Sequence, residues 1–352
     1  MQPSAHQFLK DLLEAPSPAG YEKPVQRVVR TYINEFADEV FTDLHGNVIA
    51  GKRVDAPMRI MLAGHCDQIG LVVTHIDEQG YIYTKPIGGW DPQQLIGQRM
   101  TIWTTNGPIP AVIARKPIHL LTSDERNRVV KLEELWLDMG ATDREDASSV
   151  VTIGDPVTLN LGYQEMRNGL ANAPGMDNIT GVWVVMEAFR RAAEQSPQIG
   201  LFAVSTVQEE IGLRGAKTSA FGIDPQLGIA VDVTHATDCP TIDKRKEGDV
   251  KLGAGPVIAR GPNVNPHIFT RLVETAKESD IPYQITAHGR GTGTDANAMQ
   301  ITRGGMATGL IGLPNRYMHS AVETIALNDI DQAAELLAAF ILGLAGDEDF
   351  TP

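Results

Sequence analysis

The sequence predicts an α/β fold interrupted by a small all-β insertion, and three observations carry that reading. Apolar strand-like runs at 58–63, 200–206, 227–233 and 307–311 alternate with helix-periodic stretches, the pattern of a sheet flanked by helices. Between residues 71 and 164 no long helical period occurs, and short strand-like runs are separated by Gly, Pro and Asp turns. From about Gly169 the helix-and-strand texture resumes. The simplest organisation is an α/β domain, residues 1–70 plus 165–352, holding an inserted β-barrel or sandwich at 71–164.

Each element follows from local pattern. Residues 4–15 place Phe8, Leu9, Leu12 and Leu13 at helical spacing and stop at Pro16-Ser17-Pro18. A second amphipathic helix is expected at 22–37, with Val25, Val28, Val29, Tyr32 and Ile33 on one side. Residues 40–42 and 48–50 read as strands around the turn Leu44-His45-Gly46-Asn47, and 58–63 as a buried strand ending at His65. Within the insertion, strands are expected at 71–74, 81–84, 99–104, 111–114 and 157–161, while 132–138 alternates. Downstream come a helix at 179–193, strands at 200–206 and 227–233, and helices at 266–279 and 295–301. A strand at 307–311, a turn at Gly312-Leu313-Pro314 and a helix at 329–343 complete the chain.

Composition narrows the function. The 352 residues are 42% hydrophobic and 21% charged, the profile of an ordinary globular protein. A net charge of −14 without a basic stripe argues against nucleic acid as a partner. No apolar run approaches the roughly 18 residues of a membrane-spanning helix, and no membrane partner is expected. The first residues lack the basic and apolar regions of a secretory signal, and two cysteines do not make a disulfide framework. A cytoplasmic location with free thiols is therefore expected.

The chemistry concentrates at the ends of apolar runs. Ile60-Met61-Leu62-Ala63 leads into Gly64-His65-Cys66-Asp67, where His65 and Asp67 are two apart and share a face of an extended chain. An imidazole oriented by a carboxylate presents its other nitrogen to a metal, although a lone pair of this kind is more often an ordinary strand end. Asp177, in Ala173-Pro174-Gly175-Met176-Asp177-Asn178, precedes a helix and could simply cap it. Glu209 and Glu210 end the run 201–207, where adjacent buried acids need neutralising; one could ligate while the other serves as a base. Asp232 follows Ala230-Val231, and His319 stands in Tyr317-Met318-His319-Ser320. In open α/β sheets the carboxyl ends of strands are where ligands bind. With Glu210 as the ligand, the set His65, Asp177, Glu210, Asp232 and His319 suffices for two metals if one carboxylate bridges. Two divalent ions, three carboxylates and a hydroxide sum to neutrality, and such a pair activates water and polarises a carbonyl.

These segments together resemble the M42 metallo-aminopeptidases, the glutamyl or tetrahedral aminopeptidase group. The matching stretches are Ala63-Gly64-His65-Cys66-Asp67-Gln68-Ile69-Gly70, Met176-Asp177-Asn178 and Gln208-Glu209-Glu210-Ile211-Gly212-Leu213-Arg214-Gly215-Ala216. Val231-Asp232-Val233-Thr234, Gly293-Thr294-Asp295-Ala296 and Tyr317-Met318-His319-Ser320 complete them, so the resemblance spans essentially the whole chain. It implies an α/β/α metallopeptidase domain with a mixed sheet, of the phosphorylase/hydrolase-like kind, and a barrel-like insertion that mediates assembly and helps roof the site. It implies that His65 and Asp232 hold one metal and Glu210 and His319 the other, with Asp177 bridging. By the same resemblance Glu209 is the general base and Asp67 orients His65. Family members form dimers and twelve-subunit shells, so a homo-oligomer is expected.

The activity expected is removal of N-terminal residues from short peptides by a two-metal site. Zinc suits the imidazole and carboxylate set, and cobalt or manganese also fit. Three rivals differ in chemistry. A deblocking amidohydrolase would act on N-acylated peptides; a carbohydrate-active hydrolase, the endoglucanase label given to some relatives, needs two unligated carboxylates; a scaffold needs no ligand set. Pocket walls that choose the side chain are expected near residues 293–297 and around Arg316.

Overall fold

A computed structural model describes residues 1–352. Pro3 opens the first helix, α1 (Pro3–Glu14), where a missing N–H is harmless. The second, α2 (Lys23–Ile33), ends short of the expected Ala37 because the chain turns at Asn34 and the Phe36 N–H returns to the Ile33 carbonyl. The strands β1 (Glu39–Thr42), β2 (Val48–Lys52) and β3 (Arg59–His65) follow.

The chain then enters a closed six-stranded barrel made of β4 (Gly70–Ile76), β5 (Ile82–Ile87), β6 (Arg99–Thr104), β7 (Gly107–Ala114), β8 (Trp136–Asp138) and β9 (Pro156–Leu159). Its only helical pieces beyond single turns are α3 (Ser123–Arg126) and α4 (Arg144–Val150). A closed ring leaves no free strand edge, which resolves the expectation of barrel or sandwich in favour of the barrel. Its interior is filled by Leu71, Val73, Ile82, Ile102, Ile113 and Leu137, together with Ala321 from the far end of the chain.

A short three-stranded sheet joins β10 (Gln164–Glu165), β11 (Leu170–Asn172) and β17 (Thr324–Ala326). The remaining elements are α5 (Met176–Ala193), β12 (Gly200–Thr206), α6 (Arg214–Ile223), β13 (Leu227–His235), α7 (Lys244–Glu247) and β14 (Val257–Arg260). They continue with α8 (Pro266–Glu278), β15 (Gln284–Ala287), α9 (Asp295–Gln300), β16 (Ala307–Asn315) and α10 (Leu327–Leu342). An eight-stranded mixed sheet runs β1-β2-β12-β3-β13-β16-β14-β15, with β12, β3, β13 and β16 parallel to one another.

Two features were not readable locally. The segment expected to turn at Gly312-Leu313-Pro314 is strand, because Val233 to His235 pair with Leu313 to Asn315 through the end of β16. Pro314 can sit there because β14 pairs only as far as Gly312, so no partner lies on that edge to require an N–H. Helix α6 carries two glycines and little apolar periodicity, and is formed by packing Ala216, Ala220 and Ile223 against the sheet.

The sheet is covered on both faces, as its uninterrupted apolar strands require. Ile60 and Leu62 of β3 join α1, α2, α5, α8 and α10 in the larger core, whereas Met61 and Ala63 face α6 and α9. Gly64 sits on the α5 side, and a Cβ there would lie 2.8 Å from the Gly181 carbonyl carbon. That close crossing brings the start of α5 against the end of β3. Gly64→Ala meets backbone that no rotamer can relieve, and is expected to cost about 1–3 kcal/mol of stability. The midpoint of guanidinium unfolding would report it, and an unchanged midpoint would mean that α5 can move away freely.

Candidate metal centre

Three parallel strands end side by side. Thr206 of β12 is in register with His65 of β3, while the β3–β13 ladder runs to Ala63 and Ala230, two residues before His65 and Asp232. The loop after β12 adds Glu209 and Glu210, the first turn of α5 adds Asp177, and the loop after β16 adds His319. All six candidate ligand and base residues therefore meet beyond the carboxyl ends of the central strands.

They form two groups, His65 with Glu209 and Asp232, and Asp177 with Glu210 and His319, each with ligand-type atoms within 4.8 Å of one another. Asp177 links them. Its Oδ1 lies 3.3 Å from His65 Nε2, and its Oδ2 lies 3.3 Å from His319 Nε2. His65 Nε2 is also 3.6 Å from Asp232 Oδ1 and 3.8 Å from Glu209 Oε2, and His319 Nε2 is 3.5 Å from Glu210 Oε1.

The imidazoles are oriented from behind. His65 Nδ1 donates to the Asp67 main-chain carbonyl at 2.9 Å, and His319 Nδ1 donates to the Gly89 carbonyl at 2.9 Å. A carbonyl can only accept, so each Nδ1 carries a hydrogen, and Nε2 is the nitrogen that can offer a lone pair to the centre once it has shed a second proton. The Asp67 carboxylate has a different task from its carbonyl: Oδ1 and Oδ2 accept the Glu209 and Glu210 N–H groups at 2.9 and 3.1 Å. Asp67 thus sets the position of both acids, and holds His65 mainly through its main chain; its Oδ1 is 3.6 Å from His65 Nδ1.

Electrostatics test whether these residues suit metal ions. Asp177, Glu209, Glu210 and Asp232 would carry −4 when ionised, and their ion-pair partners within 4 Å are His65 and His319, with no lysine or arginine. Glu210 Oε1 is buried without a hydrogen-bond partner. Buried, uncompensated charge of this kind is costly, and two divalent cations supply the matching +4. Imidazole nitrogens and carboxylate oxygens are also the donors that zinc and its neighbours take. The residues fit the group.

Without metal the protons redistribute. Burial pushes the carboxyls of Glu209, Glu210 and Asp232 up. Asp177 moves the other way: burial works against its charge, but hydrogen bonds from His319 and His65 hold it below the usual carboxylate range. Burial also opposes a charge on His65, yet Glu209, Asp177 and Asp232 outweigh it and raise its pKa. Hydrogen bonds to Asp177 and Glu210 push His319 up to about 11.

Three contributors carry no ligand signature of their own. Glu323 is 2% exposed and accepts the N–H groups of both His319 and Asp177, at 2.7 and 2.9 Å. An acid four residues after a candidate ligand was the only available clue. Gly89 belongs to the barrel and lies 230 residues from His319, a distance that no local pattern bridges. Asp295, expected among the pocket walls, is instead buried; its Oδ2 accepts the Thr206 hydroxyl at 2.6 Å, and burial pushes its carboxyl up to about 7. Arg316 is engaged by Asp238 through two hydrogen bonds of 2.8 and 2.7 Å. Trp90 and Leu159 of the barrel line a small cavity beside Asp177, Glu210 and His319.

A three-layer α/β/α core that gathers acids and imidazoles at its parallel strand ends defines a metal-dependent hydrolase class. A sequence model of the M42 glutamyl aminopeptidase family matches residues 46–336, and the chain belongs to that family. It is 38% identical over 349 residues to the lysyl aminopeptidase of Pyrococcus furiosus, covering 98% of this chain and 99% of that one. The TET aminopeptidase of a marine sediment archaeon of the Thaumarchaeota superposes with a TM-score of 0.92 at 33% identity, covering 97% and 98% of the two chains. The TET1 peptidase of Pyrococcus horikoshii, which can assemble into a tetrahedron or a large octahedral shell, gives 0.87 at 29% identity over 97% and 100%.

Metal must displace protons from this cluster. A raised His319 pKa means that its nitrogen is protonated below about pH 11 in the metal-free protein. Affinity should therefore rise with pH through neutrality, by roughly tenfold per unit for each proton released. Titration calorimetry in buffers of different ionisation enthalpy measures that number. Uptake without proton release between pH 6 and 9 would contradict the protonated cluster.

Proposed function

We propose that this chain is a binuclear-metal aminopeptidase that removes N-terminal residues from short peptides. The observation that carries the reading is Asp177, whose two carboxylate oxygens each face one imidazole at 3.3 Å. A carboxylate so placed can serve two ions at once. His65 and Asp232 would hold one ion, Glu210 and His319 the other, with Asp177 between them. Divalent ions bound there would lower the pKa of water and polarise a peptide carbonyl. Zinc is the ion best matched to the donors, with cobalt and manganese as alternatives.

The chain's own residues do the remaining work. Glu209 is 9% exposed beside the centre, and divalent ions bound there would favour its ionised form, the form needed to take a proton from water and return it to the leaving amine. The Glu209 and Glu210 main chain, fixed by both oxygens of Asp67, places base and ligand together. Trp90 and Leu159 line the small cavity beside these groups and crowd it.

Crowding also separates this reading from a glycosidase. Glycosidase carboxyls sit about 5–9.5 Å apart across a sugar, whereas these acids share metal-type groups with the imidazoles. The barrel is read as the module for self-assembly, from dimer to dodecamer, which the shells of the Pyrococcus horikoshii relative support. No helix is long and apolar enough to cross a membrane, and two unpaired cysteines support action in the cytoplasm.

Hydrolysis of free-amine Leu, Glu and Lys p-nitroanilides, before and after EDTA and after Zn²⁺, Co²⁺ or Mn²⁺ addition, tests the activity. Turnover lost on chelation and regained with metal is the expected result; turnover only on N-acetylated peptides would assign deblocking instead. Glu209→Gln should lower kcat by about 10²–10⁴-fold while both ions stay bound, and loss of an ion would make Glu209 a ligand. Asp177→Asn should weaken both ions, and undiminished binding of two would remove its bridging role.

A further inference from the structure

His319 differs from the other candidate ligands in how it is held. Its main chain sits at φ +58°, and that of Tyr317 at φ +63°, in the left-handed region that residues with a Cβ rarely enter. Such a conformation persists only where surrounding groups enforce it. Two do so here. Glu323 Oε1 accepts the His319 N–H, and the Gly89 carbonyl takes the Nδ1 hydrogen.

Glu323 reaches further. Its Oε2 accepts the Asp177 N–H, so one buried carboxylate ties together the main chains of two candidate ligands from α5 and from the loop after β16. No lysine or arginine pairs with it, and its carboxyl is buried directly behind those residues. The barrel supplies the other half. Gly89 lies in the turn after β5, and a Cβ there would stand 3.2 Å from His319 Nδ1 and 3.6 Å from Cε1. At Gly88, with φ +71°, a Cβ would stand 2.5 Å from Ile69 Cγ2 and 3.2 Å from Glu210 Oε2. The turn comes this close only because it has no side chains. Ala321, between His319 and Glu323, is buried within the barrel's own apolar core.

The His65 position has no such dependence. Its imidazole is held by Asp67 next to its own strand, and the neighbouring Glu209 by that residue's carboxylate, all within the α/β part. We infer that Glu323 and the Gly88-Gly89 turn are positioning groups for the Asp177, Glu210 and His319 metal position, which is completed by the inserted barrel while the His65 position is not. This rests on the two-metal reading proposed above. Partners that orient a ligand histidine typically contribute 10–100-fold to metal affinity.

Calorimetric titration of the chelator-stripped, full-length protein with Zn²⁺ tests it, and Co²⁺ absorption gives a second signature of each site. Glu323→Gln keeps the volume but sets an amide N–H₂ against a main-chain N–H. Gly89→Ala needs no unusual backbone, since its φ lies where other residues are comfortable, and only presses a methyl against the imidazole. Gly89→Ala, which touches only His319, should bind one ion as the wild type does and the other about 10–100-fold more weakly. Glu323→Gln, which also loosens the shared Asp177, should weaken that second ion by about 10–100-fold and the first one less. Unchanged affinity at both positions would overturn the inference, and so would equal weakening of both. Fewer than two ions per wild-type chain would overturn the two-metal reading itself.

Discussion

Four carboxylates and two imidazoles are packed at the carboxyl ends of the central strands with no lysine or arginine among their ion-pair partners. Acids held this close repel one another and resist burial. In the metal-free protein they manage by sharing protons, with Asp177 ionised between two raised histidines while its acidic neighbours hold protons more tightly. Cations bound there would relieve the same stress more completely. The fold must therefore keep in place a set of groups that would separate if left to themselves.

It does so with hydrogen bonds to the main chain rather than with opposite charges. Asp67 spends both carboxylate oxygens on the loop after β12, and Glu323 spends both on the loops that carry Asp177 and His319. Main-chain N–H groups are fixed in direction by the strands and helices that bear them, so they position an acid without neutralising it. A lysine in either place would have cancelled charge available to a cation. The buried acids that look least comfortable thus serve the ones at the centre.

Much of this could be read from the chain itself. Apolar runs ending in His65, Glu209 and Asp232 mark parallel strands whose carboxyl ends meet, because strands buried on both faces have no other way to expose a polar group. The structure brings Asp177 and His319 into the cluster that the motif set as a whole suggested, whereas the place of Asp177 before a helix suggested by itself only a cap. Segments whose shape comes from neighbours were not readable. Helix α6, the strand through Pro314 and the short strands β14, β15 and β17 have weak local patterns and form where a partner awaits them. Within the stretch 293–297, where pocket walls were expected, Asp295 is a buried carboxyl under Thr206, a placement no local pattern gives because an acid's burial depends on what covers it.

By itself the sequence determined the alternation of strands and helices, the barrel-like change of texture after Gly70, and the chemical types of the residues at the candidate site. These depend on side-chain identity and on spacing within a single element, which the chain carries in linear order. Tertiary structure alone decided which oxygen of Asp177 faces which imidazole, that Glu323 joins two ligand loops, and that a barrel carbonyl 230 residues away sets the tautomer of His319. Such contacts are fixed by register between strands and by closure of one module on another, and neither is written in the spacing of neighbours along the chain.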